Sequence, residues 1–234
     1  MVYKWINSAR QLLYPGRCHL CLAPVPGELP LCEGCRDDLP WLESACPRCA
    51  LPLAPGSPEG CCAACLAQPP ALDGCHALFA YQAPVDRWIH ALKFRDDLAT
   101  GRLLGLLLAG RLPQPAAGAR LLPVPLHPRR LRERGYNQAA EIIRPLLQRC
   151  WLSSRCGCYR KRHTDAQSAL PAHHRRDNLQ GAFAVRRRPH GEHILLIDDV
   201  MTTGSTLNEL AGTLKAAGAE RVDAWVIART LKPG

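Results

Sequence analysis

The chain has 234 residues, 47% of them apolar, so it can bury a core and is too apolar for wholesale disorder. Its apolar run Leu103–Ala109 is far too short to span a bilayer, and Met1–Tyr14 has no apolar secretion core, so a cytoplasmic protein without a membrane span is expected. The net charge of +10, with arginines crowded at 129–134, 155–162, 175–176 and 186–188, points to an anionic partner, either a polyphosphate or nucleic acid.

In chain order, Trp5, Ile6, Ala9, Leu12 and Leu13 recur at helical spacing and predict a docking helix. Next come nine of the thirteen cysteines, and eight of these form four C-x-x-C pairs, 18/21, 32/35, 46/49 and 62/65. Each pair can set two thiolates on one side of a metal, and two pairs complete a tetrahedral shell. Without an export signal, metal ligation in a reducing compartment is expected rather than a disulfide framework. The pattern predicts two structural Zn²⁺ ions, one on Cys18, Cys21, Cys32 and Cys35, the other on Cys46, Cys49, Cys62 and Cys65. An interleaved pairing stays open, as does Cys61 in place of Cys62. Iron–sulfur ligation fits less well, because the pairs are spread out as ribbon knuckles rather than clustered. So few apolar residues lie here that metal should supply much of the folding energy.

Composition changes near residue 70, which suggests an N-terminal helix and double zinc ribbon over 1–70 and an α/β domain over 71–234. The second part reads as a strand at His76–Tyr81, helices at Val85–Phe94 and Leu98–Leu112, a loop at Pro113–Gly118 and a strand at Arg120–Leu126. A helix follows at Asn137–Cys150. Leu152–Arg176 is basic and non-periodic, as expected of a mobile loop or flap. Arg186–Arg188 fits a solvated turn. Then come a buried strand at His193–Asp199, a helix at Thr206–Ala217 stopped by Gly218, and a last strand at Arg221–Ala228. The alternation implies a parallel or mostly parallel sheet.

The most specific stretch is Ile194–Thr206, ILLIDDVMTTGST. A strand carries Asp198 and Asp199 to the carboxyl edge of the sheet, where α/β proteins bind ligands. The hydroxyls of Thr202, Thr203, Ser205 and Thr206, the local amides and the following helix dipole can all serve a phosphate, and Gly204 lets the backbone come close. The two carboxylates can accept from a sugar's vicinal hydroxyls. A capped helix alone would explain the hydroxyls but not the paired acids. No Lys follows the Gly, so this is no Walker A loop, and it is no G-x-G-x-x-G turn. The motif predicts binding of a ribose 5-phosphate, as in phosphoribosyl pyrophosphate (PRPP).

This loop resembles that of the type I phosphoribosyltransferases, and the chain as a whole resembles the ComF/GntX family, competence-associated proteins that join a cysteine-rich module to such a domain. The resemblance rests on Tyr14-Pro15 with the C-x-x-C pairs, on Trp88–Phe94, on Pro123–Ala139, on Arg160-x-Arg162-x-Thr164-x-x-Gln167 with Arg175, Asn178-Leu179 and Gly181–Phe183, and on the PRPP loop. It implies a type I phosphoribosyltransferase fold with Mg²⁺ accompanying PRPP. It also implies pyrophosphate held near Arg129 and Arg130, with Asp198 and Asp199 on the ribose. Arg160, Arg162, Thr164 and Gln167 would lie on a flap over the site, and Lys93 within reach of the pyrophosphate. Three functions follow from it: a transferase acting on PRPP, a non-catalytic PRPP sensor or single-stranded-DNA-binding protein, or an adaptor for other DNA-uptake proteins. Nucleotide salvage is a further use of the same site.

Overall fold

The computed structural model describes residues 16–53, 60–111, 118–150, 157–162 and 180–231. The expected helix within 1–14, and Thr164 and Gln167, lie outside the described residues. The chain forms two compact units, 1–40 and 41–234. In the first, the two-residue strands β1 (Gly16–Arg17) and β2 (Pro24–Val25) pair antiparallel, and the short helix α1 (Glu33–Asp37) follows. Cys18 and Val25 are buried here, with Leu31 and Leu39 beside them. The core that the described residues of this unit form is small enough to call for a further crosslink.

The second unit begins with a cysteine-rich segment whose helix α2 (Ala63–Ala67) carries Cys65. A four-stranded sheet follows, with strands β3 (Gly74–Ala80), β4 (Arg120–Pro123), β7 (His193–Met201) and β8 (Arg221–Arg229) in the order β3-β8-β7-β4, every pair parallel. β7 and β8 are central and therefore apolar on both faces, apart from their ends. Ile194 and Leu196 of β7 face one layer with Leu207, Leu210 and Leu214 of helix α7 (Ser205–Ala216). On the other side, helix α6 (Gln138–Cys150) lies on β4 and β7, and helix α4 (Leu98–Arg111) packs on α6, with helix α3 (Val85–Phe94) against α4. α4 is apolar around most of its girth and buries eight residues. Gly105 is the reason it can approach α6 so closely, since a Cβ there would strike the Ile142 carbonyl and the Pro145 ring.

Two elements differ from the sequence expectation. A helix, α5 (Pro128–Arg134), stands between the expected strand and helix, where the sequence pattern marks no element. It has one apolar residue, Leu131, so it shows no periodicity. Its ends are nevertheless well marked, because His127 Nδ1 accepts from the Arg129 amide, Pro128 opens the helix and Gly135 closes it at φ 80°. Within the stretch read as a non-periodic loop, β5 (Cys158–Arg160) pairs antiparallel with β6 (Phe183–Val185). A three-residue strand whose partner lies more than twenty residues away leaves no local pattern. Among the described residues, no helix is long and apolar enough to cross a membrane.

Candidate functional site

The eight cysteines assort as two sets, Cys18, Cys21, Cys32, Cys35 and Cys46, Cys49, Cys62, Cys65, with the sulfurs of each set within 4.8 Å of one another. This is the sequential pairing, and it uses Cys62; Cys61 stands outside both sets. Cys21 and Cys32 sulfurs are 3.6 Å apart and those of Cys49 and Cys62 3.5 Å apart. Burial raises the Cys18 thiol, but amides of Cys21, Cys32 and Leu20 aimed at its sulfur prevail and bring it down to about 6. Cys46 is brought down to about 6 against the same burial, here by amides of Cys62, Arg48 and Cys49. Four convergent sulfurs with amides aimed at one of them suit a tetrahedral thiophilic ion, so the chain holds two four-cysteine clusters consistent with structural zinc.

The second cluster is part of the sheet domain. Cys46, Cys49 and Ala50 are buried in the same core as Leu72, Cys75 and Ala77. The Cys75 amide of β3 donates to the Pro47 carbonyl at 2.7 Å, and the Leu42 amide donates to the Leu78 carbonyl at 3.1 Å. Trp41 stacks at a tilt on Phe79, with ring centroids 4.6 Å apart.

At the carboxyl edge, β7 ends in Asp198, Asp199, Val200 and Met201, and the chain turns through Thr202–Gly204 into α7. Gly204 sits at φ 79° as the N-cap and has no side chain to close the turn. Any side chain there would also meet the Met201 methyl. Thr203 and Ser205 hydroxyls lie 2.8 Å apart, and the Ser205 amide donates to Thr203 Oγ1 at 3.3 Å. Asp198, Thr202, Gly204, Ser205 and Thr206 line one concavity. Its chemistry is that of an anion nest beside an acid.

Alternation sends the two acids to opposite faces. Asp199, buried, makes a 2.9 Å ion pair with Lys93 Nζ at the end of α3. Burial disfavours the Lys93 ammonium, yet the charge and hydrogen bond of Asp199 outweigh it and raise its pKa. Burial first, and then the charge of Asp199, push Asp198 up to about 7, against Lys93, the Asp199 amide and Arg160. Three arginines lie in the field of these acids. Burial, and then mutual repulsion with Arg130, lowers the pKa of both Arg134 and Arg160, while Asp199 and Asp198 respectively oppose the shift. Arg160 is 8% exposed and lies over the Phe183 ring at 5.6 Å.

Asp198, Asp199, Lys93, Arg130 and Arg160 are therefore brought together with the Thr202–Thr206 loop. Arg129 lies on the exposed side of α5, and Arg162 donates to the Gln180 carbonyl at 3.2 Å. Two residues escaped the sequence reading. Arg134 lies one helical turn after Arg130, a signal that becomes visible once α5 is known to be a helix. Arg229, 3% exposed, ends β8 opposite Met201, and its only sequence mark is a charge closing an apolar strand. Tyr136 and Asn137 hold structure: the Tyr136 hydroxyl donates to the Leu92 carbonyl, and Asn137 donates to the Val124 carbonyl at 2.9 Å while accepting from the Ala139 amide at 2.9 Å.

Comparison with known proteins adds two domain matches, a double zinc ribbon domain over residues 9–66 and a phosphoribosyl transferase domain over residues 160–233. "DNA utilization protein YhgH" of Salmonella typhi is 36% identical over 94% of this chain and 100% of its own length. "Competence protein F" of Haemophilus influenzae is 34% identical over 85% of this chain and 90% of its own. "Competence protein ComFC" of Streptococcus pneumoniae is 25% identical over 65% of this chain and 67% of its own.

Proposed function

The chain belongs to the competence-associated ComF/YhgH family, with a zinc ribbon ahead of a phosphoribosyltransferase domain, and on that premise we propose that the domain binds PRPP with Mg²⁺ and transfers its phosphoribosyl group. The observation that carries this reading is the charge balance at the edge of β7. A phosphate nest adjoins an acid held up at about 7, and Arg134 and Arg160 beside it are lowered by burial and by the charge of Arg130. Such mutual discomfort is relieved by a ligand that brings a 5-phosphate, a diol and a polyphosphate together.

In this reading, the amides and hydroxyls of Thr202–Thr206 take the 5-phosphate and the carboxylates of Asp198 and Asp199 accept from the ribose hydroxyls. Arg130, Arg134 and Arg160 take pyrophosphate oxygens and stabilise the charge that gathers on them as the C1–O bond breaks. Lys93 holds Asp199 in place through their 2.9 Å ion pair. Mg²⁺ accompanying PRPP would supply further neutralisation of the phosphate charge. Isothermal titration of PRPP and Mg²⁺ into wild type and an Asp198→Ala/Asp199→Ala pair tests the site: heat from wild type and none from the pair is expected, and no heat from wild type removes the reading. Pyrophosphate release with a panel of bases tests turnover, and silence across all of them leaves a PRPP sensor.

A second reading concerns DNA, the subject of the relatives' names. Arg186 lies 4.6 Å over the exposed Tyr159 ring, and Arg187 and Arg188 follow it in sequence. Aromatic and guanidinium planes with local positive charge suit single-stranded nucleic acid. Its affinity should fall with a negative salt slope, and a flat slope would remove this reading.

A further inference from the structure

Arg229 stands between the second cysteine cluster and the phosphate loop. From the end of β8, its Nε donates to the Cys49 carbonyl at 2.9 Å. Its Nη1 donates to the Met201 carbonyl at 3.0 Å and also to the Thr202 carbonyl. One guanidinium thus spans a metal-binding knuckle and the carbonyls of the last residue of β7 and the first residue of the loop. A fork of fixed geometry can hold both, where an ammonium, being a point donor, cannot.

The consequence follows from the peptide plane. In a trans peptide the carbonyl and the next amide point in opposite directions, and the one cis bond among the described residues is Ala83–Pro84. Turning the Met201 and Thr202 carbonyls toward Arg229 therefore turns the Thr202 and Thr203 amides away from it, and Met201 and Thr202 are both part of the wall of the concavity. A second line of contact runs alongside. Pro47, inside the Cys46–Cys49 knuckle, accepts from the Cys75 amide, the Cys75 thiol lies 3.4 Å from the Met201 sulfur, and the Met201 methyl fills the space under Gly204.

We propose that Arg229 is a positioning residue that makes the phosphate loop's amide geometry depend on the metal-closed Cys46/Cys49/Cys62/Cys65 knuckle, so that this zinc site serves anion binding as well as folding. The proposal rests on the PRPP reading for its ligand, but the coupling itself can be read without any ligand.

The test uses the full chain. Arg229→Lys keeps the charge and loses the fork. Two zinc ions per chain should remain, amide exchange at Thr202 and Thr203 should quicken about tenfold against core amides of β7 and β8, and PRPP affinity with Mg²⁺ should fall about tenfold. A merely structural role would quicken the core amides equally. Wild-type loop protection with both zinc ions bound overturns the proposal, as does equal loosening of loop and core. Should Arg229→Lys fail to fold, gradual chelation of wild type takes its place. Loop amides that loosen in step with zinc loss from the second cluster, ahead of the core, support the coupling, and loop protection that survives that loss overturns it. Wild type that gives no heat with PRPP removes the PRPP reading and leaves the exchange result to decide the coupling.

Discussion

The two edges of the same parallel sheet carry the same kinds of charged residue and use them in opposite ways. At the amino edge, Asp73 meets Lys215 at 2.7 Å and accepts the Val222 amide at 2.8 Å, and Asp223 Oδ2 takes both Arg221 and His193 at 2.8 Å. Burial works against the Asp73 charge, yet Lys215 and the Val222 amide prevail and hold its carboxyl below the ordinary range. The Arg221 guanidinium is raised, by its hydrogen bond to Asp223 before all else. At the carboxyl edge, apart from the Lys93–Asp199 pair, the shifts run the other way. Asp198 rises to about 7, and Arg134 and Arg160 fall. Charges that satisfy one another stabilise a fold, whereas charges that frustrate one another mark the place where a ligand completes the set.

Substitutions sharpen or break this contrast. The largest effect is expected from Asp223→Ala, which strips two bases of a shared, buried carboxylate and should cost about 2–3 kcal/mol of unfolding free energy in denaturant titration. Lys93→Met does the corresponding damage at the other edge, leaving Asp199 buried without its partner. A loss of about 2 kcal/mol is expected, with the titration of Asp198, followed by carboxyl NMR, moving further up. Asp198→Asn should instead stabilise the empty protein. The folded pKa of Asp198 lies above its unfolded value of 3.8, so the wild type loses stability as pH rises from about 4 through about 7. The substitution should therefore gain on the order of 1–2 kcal/mol at pH 8 and nothing below pH 4, while PRPP heat disappears. A loss of stability at pH 8 would erase the distinction between the edges.

Asp73→Asn should cost about 1 kcal/mol at neutral pH. Because the folded pKa of Asp73 lies below 3.8, that contribution is present above pH 4 and is lost as pH falls through the lowered value, so the variant and wild type should converge in acid. The smallest effect is expected from Arg120→Ala, which breaks a half-buried pair with Glu192 at 2.6 Å, at about 0.5 kcal/mol.

The sequence was most legible where local pattern and chemistry coincide. β7, the loop and α7 appear within two residues of where apolar runs, paired acids and Gly218 put them. The cysteine spacing pointed to both sulfur sets, since a knuckle is a local object. What stayed hidden depends on distant partners. α5 has too little apolar surface to show a period, and β5 exists through its pairing with β6. Arg229 looks like an ordinary charged strand end until Cys49 is seen beside it, 180 residues away in sequence.

The burial of the second ribbon against β3 also bears on how such a chain could arise and be divided. Cys46, Cys49 and Ala50 share a core with the sheet, and Trp41 and Leu42 are bound to β3. A descendant that shed everything up to the end of the ribbon match at residue 66 would uncover the part of the core that Cys46, Cys49 and Ala50 close, and would free Arg229 Nε from the Cys49 carbonyl. A descendant cut between Pro40 and Trp41, where the compact units part, would keep both. The two ribbons, alike in spacing, are thus unequal as heritable parts: the second cannot be lost without opening the core it shares with the sheet.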